Sequence, residues 1–291
     1  MRSGQTGSPG QPEGSLLELL LTEVVPRLTR LASGPQALPG AVGIASPGRP
    51  VAEMRLEDGP TPPGPLLVHA LELAERCQHG DAKGAGELVA RLRESGVPIE
   101  AIMLQLIQPA AQHLGLGWCE DRVSFTDVTI GLGHLQQIFS SLLDDFHTSG
   151  LTGALTEDGA LPPQAFFCTL PGATHRLGVQ MVRAFFARAG WRTRVGQGDE
   201  SALFSQMAAM KPDMIALSLG SETDLRAAAG FILRARNACR NFSPVVMVGG
   251  AAVPFFPSLV ERLDADIVSG DATDALARAT ELLTERTVGT R

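Results

Sequence analysis

Apolar side chains recur with a helical period through residues 65–148 of this 291-residue chain. Leucine, isoleucine, valine and alanine return to the same side of each predicted turn, a pattern typical of amphipathic helices. Ser95-Gly96 and Pro98 mark the end of the second helix and the start of the third, and the fourth is predicted from about Ser124 to Phe146. Four helices with short connections predict a four-helix bundle over residues 65–148.

A different pattern begins at residue 164, where short apolar runs alternate with amphipathic stretches. The predicted strands are 164–170, 191–197, 213–219, 244–248 and 265–268. The predicted helices are 175–189, 200–210, 223–239, 255–263 and 271–284. Strands that are each followed by a helix need crossover connections and therefore a parallel sheet. The sequence predicts a flavodoxin-like, five-stranded parallel α/β domain over residues 164–284.

The remaining segments are rich in glycine, proline and polar residues. Residues 1–64 are expected to be a disordered or linker region with one short helix at 15–31, because their composition buries too little apolar surface to offset the entropy of ordering. Residues 149–163 are expected to be a second linker, and residues 285–291 a tail. The most apolar early stretch, Leu16 to Val25, is interrupted by two glutamates, lacks a cleavage site and is too short to span a membrane. A cytoplasmic protein without membrane contact is therefore expected.

Charge and motif content narrow the possible functions. The net charge is −7 and no basic block occurs, which argues against direct binding of nucleic acid. The four cysteines have no CxxC or metal-ligand spacing and are expected to be buried, reduced thiols. The chain lacks GxSxG, Walker and GxGxxG motifs, so it is expected not to be an enzyme.

Candidate chemistry lies on three loops that follow predicted strands. The first carries His175, the second is Ser218-Leu219-Gly220, and the third contains the glycine pair Gly249-Gly250. Because parallel sheets bind ligands at the carboxyl ends of their strands, these loops predict one pocket. An imidazole in such a pocket could ligate a metal, although a solvated loop histidine is the alternative.

These loops resemble the cobalamin-binding module of methionine synthase, corrinoid carriers and light-responsive regulators. The family pattern is Asp-x-His-x-x-Gly, then Ser-x-Leu, then Gly-Gly; here the first segment runs from Ala173 to Gly178, with Ala173 in place of the acidic residue. The resemblance implies that His175 is the lower axial cobalt ligand. It also implies contacts to the cofactor from Thr174, Gly178, Ser218, Gly220, Gly249 and Gly250.

The end of the third helix and the start of the fourth carry a second resemblance. Trp118 and the segment from Ser124 to Thr129 are similar to the helical cap of CarH-type cobalamin photoreceptors, although Val128 and Thr129 replace their Glu-His pair. The resemblance implies that Trp118 covers the corrin, with Asp121 and Asp127 as further cofactor contacts. A core role for Trp118, and a loop or first-turn role for the two acids, are the structural alternatives.

The Trp-x-x-Asp and Ser-Phe-x-Asp-Val-Thr segments together are similar to the AerR/PpaA group of photosynthesis-gene antirepressors. The resemblance implies binding of hydroxocobalamin or adenosylcobalamin and light-dependent action on a separate DNA-binding repressor of the CrtJ or PpsR type. Two alternatives stay open. One is a corrinoid methyl carrier of a methyltransferase system. The other is a haem-binding redox sensor, in which His175 or a bundle histidine such as His69, His113 or His134 could serve as a ligand.

Overall fold

The computed structural model describes residues 66–148, 161–173 and 176–289. The helix predicted at 15–31 lies outside the described residues, as do the rest of the first 65 residues and residues 149–160 of the predicted linker. Two parts of the described chain matter for function: a helical bundle and an α/β domain.

The bundle consists of long helices joined by short turns, as the periodicity predicts. Its elements are α1 (Leu67–Gln78), α2 (Ala82–Glu94), α3 (Ile99–Ala101), a π-helical segment (Ile102–Ile107), α4 (Gln108–Cys119) and α5 (Phe125–Thr148). The third predicted helix therefore contains a wider π-helical turn between α3 and α4, a feature that periodicity alone does not reveal.

Capping residues and buried aromatics explain these helices. The Asp81 carboxylate accepts a hydrogen bond from the Gly84 amide at 2.8 Å and so caps the start of α2. Pro98 precedes α3, where the fixed proline φ favours a helix start. Phe139 and Phe146 of α5 are fully buried in the bundle core. The bundle is thus held by one apolar core beneath short, capped connections.

The α/β domain alternates strands and helices along the chain. Its elements are β1 (Gln164–Thr169), α6 (Leu177–Arg188), β2 (Arg192–Val195), α7 (Glu200–Met210), β3 (Met214–Ser218), α8 (Glu222–Ala238), β4 (Val245–Gly249), a 3₁₀ turn (Val253–Phe255), α9 (Pro257–Val260), β5 (Ile267–Val268) and α10 (Ala272–Gly289). All paired strands are parallel, and their order is β2-β1-β3-β4-β5. This order confirms the predicted flavodoxin-like fold.

One predicted element differs in form. The helix expected at 255–263 is a 3₁₀ turn followed by the four-residue α9. Pro254 and Pro257 explain the difference, since each lacks the amide that a continuous helix would need.

The bundle packs on the sheet domain through α6. Phe146 of α5 lies with its ring centroid 5.1 Å from that of Phe185. The Arg188 guanidinium carbon sits 4.5 Å from the centroid of the Phe146 ring, and Arg188 also pairs with Glu100 of α3. The bundle core therefore continues into α6 through a tilted aromatic pair and a cation–π contact.

The described residues contain no helix that could span a membrane, and their cysteines are unpaired thiols. No helix in this part of the chain is long and apolar enough to cross a bilayer. All four cysteines are free, and three of them are buried. Burial raises the pKa of the Cys77 and Cys168 thiols to about 12, so both stay protonated at neutral pH. Cys119 is exposed, unlike the buried thiol expected at that position.

Replacing Phe146 with alanine should lower the free energy of unfolding by about 3–5 kcal/mol, because the ring is fully buried between the bundle and α6. Phe255→Ala is the matched control, since that ring is 63% exposed, and it should cost less than about 1 kcal/mol. Denaturant unfolding of the three proteins measures the difference. Equal losses in both variants would contradict the packing described here.

Candidate functional site

The carboxyl ends of four neighbouring strands form one continuous edge. Thr169 of β1 pairs in register with Ser218 of β3, and Ser218 pairs with Gly249 of β4. Val268 of β5 pairs with Val248, so Ser269 follows at the level of Gly249. Parallel pairing thus aligns Thr169, Ser218, Gly249 and Ser269 along the edge at which α/β sheets bind ligands.

The loop after β1 turns tightly at this edge. Gly172 has a φ of +82°, and the Ala173 amide donates to the Leu170 carbonyl at 3.1 Å. Thr174 and His175 lie outside the described residues, between Ala173 and Arg176 in the chain. The predicted metal ligand therefore follows a described turn, and its role stays a prediction.

Gly178 and Ser218 are neighbours in the structure. A Cβ atom built on Gly178 would lie 3.6 Å from the Ser218 hydroxyl oxygen, which is ordinary van der Waals contact. Gly178 is exposed and Ser218 is half-buried. Because Gly178 has no side chain, a space of about one methyl group lies next to the Ser218 hydroxyl.

The glycine pair joins the β3 and β4 loops. The Leu219 amide donates to the Gly249 carbonyl at 2.8 Å, and the Ala252 amide donates to the Leu219 carbonyl at 3.1 Å. Gly250 has a φ of +110°, and a Cβ there would lie 2.6 Å from the Leu219 nitrogen. A Cβ on Gly249 would lie 2.5 Å from the Ser269 carbonyl oxygen. Both glycines are thus required by the neighbouring backbone. The sequence predicted a different reason for them, the close approach of a ligand.

Gly220 lies at a capped helix start. The amides of Gly220 and Ser221 both donate to one Asp224 carboxylate oxygen at 3.0 Å, and the Ser221 hydroxyl oxygen accepts from the Asp224 amide at 3.2 Å. This capping box holds the beginning of α8 against the strand end. Gly220 is therefore held in place, with its amide already engaged.

Ser269 lies beside the strand-end loops, although no motif in the sequence singles it out. It is nearly buried, and its hydroxyl donates to the Asp274 carboxylate at 2.7 Å. The only available signal was its position after the fifth strand. Thr169 was missed in the same way, since strand register is needed to place it next to Ser218.

The residues predicted to form the cap lie at the junction of α4 and α5. Trp118 is half-buried against the bundle core, with its ring 6.4 Å from that of Phe125. Asp121 is exposed in a turn with a φ of +56°. Asp127 lies in the first turn of α5, where its carboxylate accepts from the Ser124 hydroxyl at 2.7 Å. Among the described residues, no hydrogen bond or ring contact joins these three side chains to the strand ends.

The bundle histidines have local contacts. One ring nitrogen of His134 lies 3.0 Å from the Cys77 carbonyl oxygen, and one of His69 lies 3.7 Å from the Glu72 carboxylate. His113 is half-buried on α4. No group of three or more His, Cys, Asp or Glu side chains able to hold a metal ion occurs within residues 66–148, 161–173 and 176–289.

Comparisons with known proteins agree with this geometry. Residues 164–280 match the family described as B12 binding domain, which confirms the resemblance to cobalamin-binding domains. An uncharacterized 20.5 kDa protein in the bchF-crtJ intergenic region of Rhodobacter capsulatus is 28% identical over 188 residues, covering 63% of this chain and 93% of that relative. The monomethylamine corrinoid protein of Methanosarcina barkeri matches with a TM-score of 0.59 at 16% identity, over 72% of this chain and 96% of that one, and shows the same fold.

Replacing Gly250 with alanine should destabilise the protein more than replacing Gly172. Both glycines have positive φ, a strain of about 1–2 kcal/mol for alanine, but a Cβ at Gly172 would meet nothing within 4 Å. At Gly250 the clash with the Leu219 backbone adds to that strain. Thermal and denaturant unfolding of both variants tests this, and equal destabilisation would contradict the backbone packing of the two loops.

Proposed function

We propose that this chain, whose residues 164–280 form a B12 binding domain, is a cobalamin-binding, light- or redox-responsive regulator without catalytic activity. It acts as an antirepressor by changing the DNA binding of a separate repressor of the CrtJ or PpsR type. The observation that carries the proposal is the match of residues 164–280 to the B12 binding domain family, in a chain whose relative lies in the bchF-crtJ intergenic region.

The residues of the strand ends fit a corrinoid with an extended nucleotide tail. His175 would hold the cobalt from below, and the space beside Gly178 would admit the tail next to the Ser218 hydroxyl. Thr174, Gly220, Gly249 and Gly250 would be further contacts to the cofactor. When bound, the cofactor would supply a light-sensitive cobalt centre. The chain itself supplies fixed loop positions, since the Leu219 hydrogen bonds hold the β3 and β4 loops together.

The junction of α4 and α5 is proposed as the cover of the upper face. Trp118 is partly exposed, so part of its ring is available to a ligand, and Phe125 beside it is 62% exposed. Asp121 is an exposed acid in the same turn, and Asp127 starts the next helix. Exposed aromatic surface is costly in water, so a corrin ring against it would be a favourable contact.

A corrinoid methyl carrier is the second candidate. The fold shared with the monomethylamine corrinoid protein favours the carrier function, because the structural match extends over most of the length of both chains. Ala173 argues against it, since a carrier's histidine is expected to have an acidic partner that helps it to detach and reprotonate. Methyl transfer to a thiol acceptor from methylcobalamin-loaded protein would favour the carrier over the regulator.

Visible spectra of the full chain mixed separately with hydroxocobalamin, adenosylcobalamin and haemin, in darkness and after illumination, test cofactor choice. A base-off, histidine-ligated cobalamin spectrum that changes with light is expected, and His175→Ala should lose it while keeping its thermal stability. His79→Ala, which removes an exposed histidine after α1, is the control and should retain the spectrum. A haem Soret band without any cobalamin complex would instead identify a haem sensor.

The regulatory step is tested with a CrtJ-type repressor and its operator DNA. The cobalamin-loaded protein, kept dark or illuminated, should change the repressor's affinity for DNA in one of the two light states. The His175→Ala protein should not. An unchanged repressor affinity in both states, with cobalamin bound, would rule out the antirepressor role and leave cobalamin binding intact.

Replacing Trp118 with alanine should preserve lower ligation and weaken retention of the cofactor, because the half-buried ring is proposed to cover the corrin. The measurement is the rate at which bound cobalamin exchanges into excess apo-corrinoid-binding protein. Leu233→Ala, at a 61% exposed position of α8, is the control. Retention equal to that of the unmodified protein would exclude Trp118 from the cover.

A further inference from the structure

Strand β2 forms an open edge of the sheet. It stands last in the strand order, and within the described residues no strand pairs with its outer side. The Arg192 amide donates to Pro163 at 2.9 Å and the Gly196 amide donates to Phe167 at 2.8 Å, both on the β1 side. Since strand backbone groups alternate in direction, the N–H and C=O groups of Thr193 and Val195 face away from the sheet.

The same edge carries two arginines that have no partner in the described part of the chain. Arg192 and Arg194 are both exposed and lie two residues apart, so their side chains share one face of β2. Among the described residues, neither guanidinium has a hydrogen bond or an ion pair. Both line an open cavity of about 450 Å³ between β2 and the end of α7, together with Gln164, Thr193, Ala209 and Met210.

We propose that this edge binds an extended acidic segment of a partner polypeptide, which adds a strand to β2. The backbone groups of Thr193 and Val195 supply the strand hydrogen bonds. Arg192 and Arg194 select carboxylates at alternate positions of the segment, because every second side chain of the added strand falls on their face. The inference rests on the β2 edge alone and does not depend on cobalamin binding.

Charge favours an acidic segment over a second copy of the chain as the strand that pairs with β2. Two β2 strands pairing antiparallel would place Arg194 opposite Arg192 or Arg194, and like charges directly opposite destabilise strand pairs. A small anion would satisfy the two guanidiniums and leave the backbone groups of Thr193 and Val195 without a strand. The protein carries a net charge of −7, but two exposed arginines without a partner among the described residues make this strand locally positive, which suits an acidic partner.

The probe is a short fluorescent peptide of alternating glutamate and valine, titrated into the full chain by anisotropy at low salt. Binding is expected, and it should be at least about tenfold weaker in the Arg192→Glu/Arg194→Glu protein because attraction becomes repulsion. Arg240→Glu is the matched control: this exposed arginine has no partner among the described residues, and its reversal should leave binding unchanged. Absence of binding by the unmodified chain would overturn the proposal.

Two further measurements separate strand addition from simple anion binding. A peptide of alternating glutamate and proline keeps the charge but cannot donate from its proline positions, so it should bind much more weakly. The amides of Thr193 and Val195 should exchange with solvent more slowly when the glutamate-valine peptide is bound. Equal binding of both peptides, or unchanged exchange at these two amides, would show an anion site only and overturn the proposal.

Discussion

All five strands run parallel, so each connection must cross from one end of the sheet to the other. This constraint sends every loop that follows a strand to a single edge. Thr169, Ser218 and Gly249 end their strands within one hydrogen-bonded row, although they come from three separate chain segments. The candidate site follows from this pairing, because no local interaction would bring these residues together.

The helices that the crossovers require also bury the sheet and receive the bundle. Helix α6 begins beside the candidate ligand loop and ends where Phe185 and Arg188 contact Phe146. One rigid element therefore touches both the strand-end site and the bundle. In a regulator, such an element would give a physical connection between the cofactor site and a distant surface. The same connection would keep the bundle positioned in a carrier, so it serves either of the proposed functions.

The open β2 edge differs in charge from the chain as a whole, which is acidic. Many charged side chains of the described residues form ion pairs, as Arg226 does with Glu222 and Arg234 with Glu200. Arg192 and Arg194 have no such partner among the described residues, and their strand lies at the edge of the sheet. Two arginines on one strand are enough to attract an acidic segment of another protein, and they do not amount to a basic region that would bind nucleic acid.

Apolar periodicity determined the four bundle helices, the five strands and the parallel fold, because helix and strand periods are local properties of the chain. The predicted strands also placed the candidate site, because the loop residues that follow each strand can be read directly from the sequence. Tertiary structure alone decided the partners of those residues: Ser218 lies beside Gly178, Gly250 packs on Leu219, and Ser269 joins the row. It also decided which strand stays open at the edge. These features depend on register and strand order, which arise from contacts between residues far apart in the chain and leave no periodic trace in the sequence.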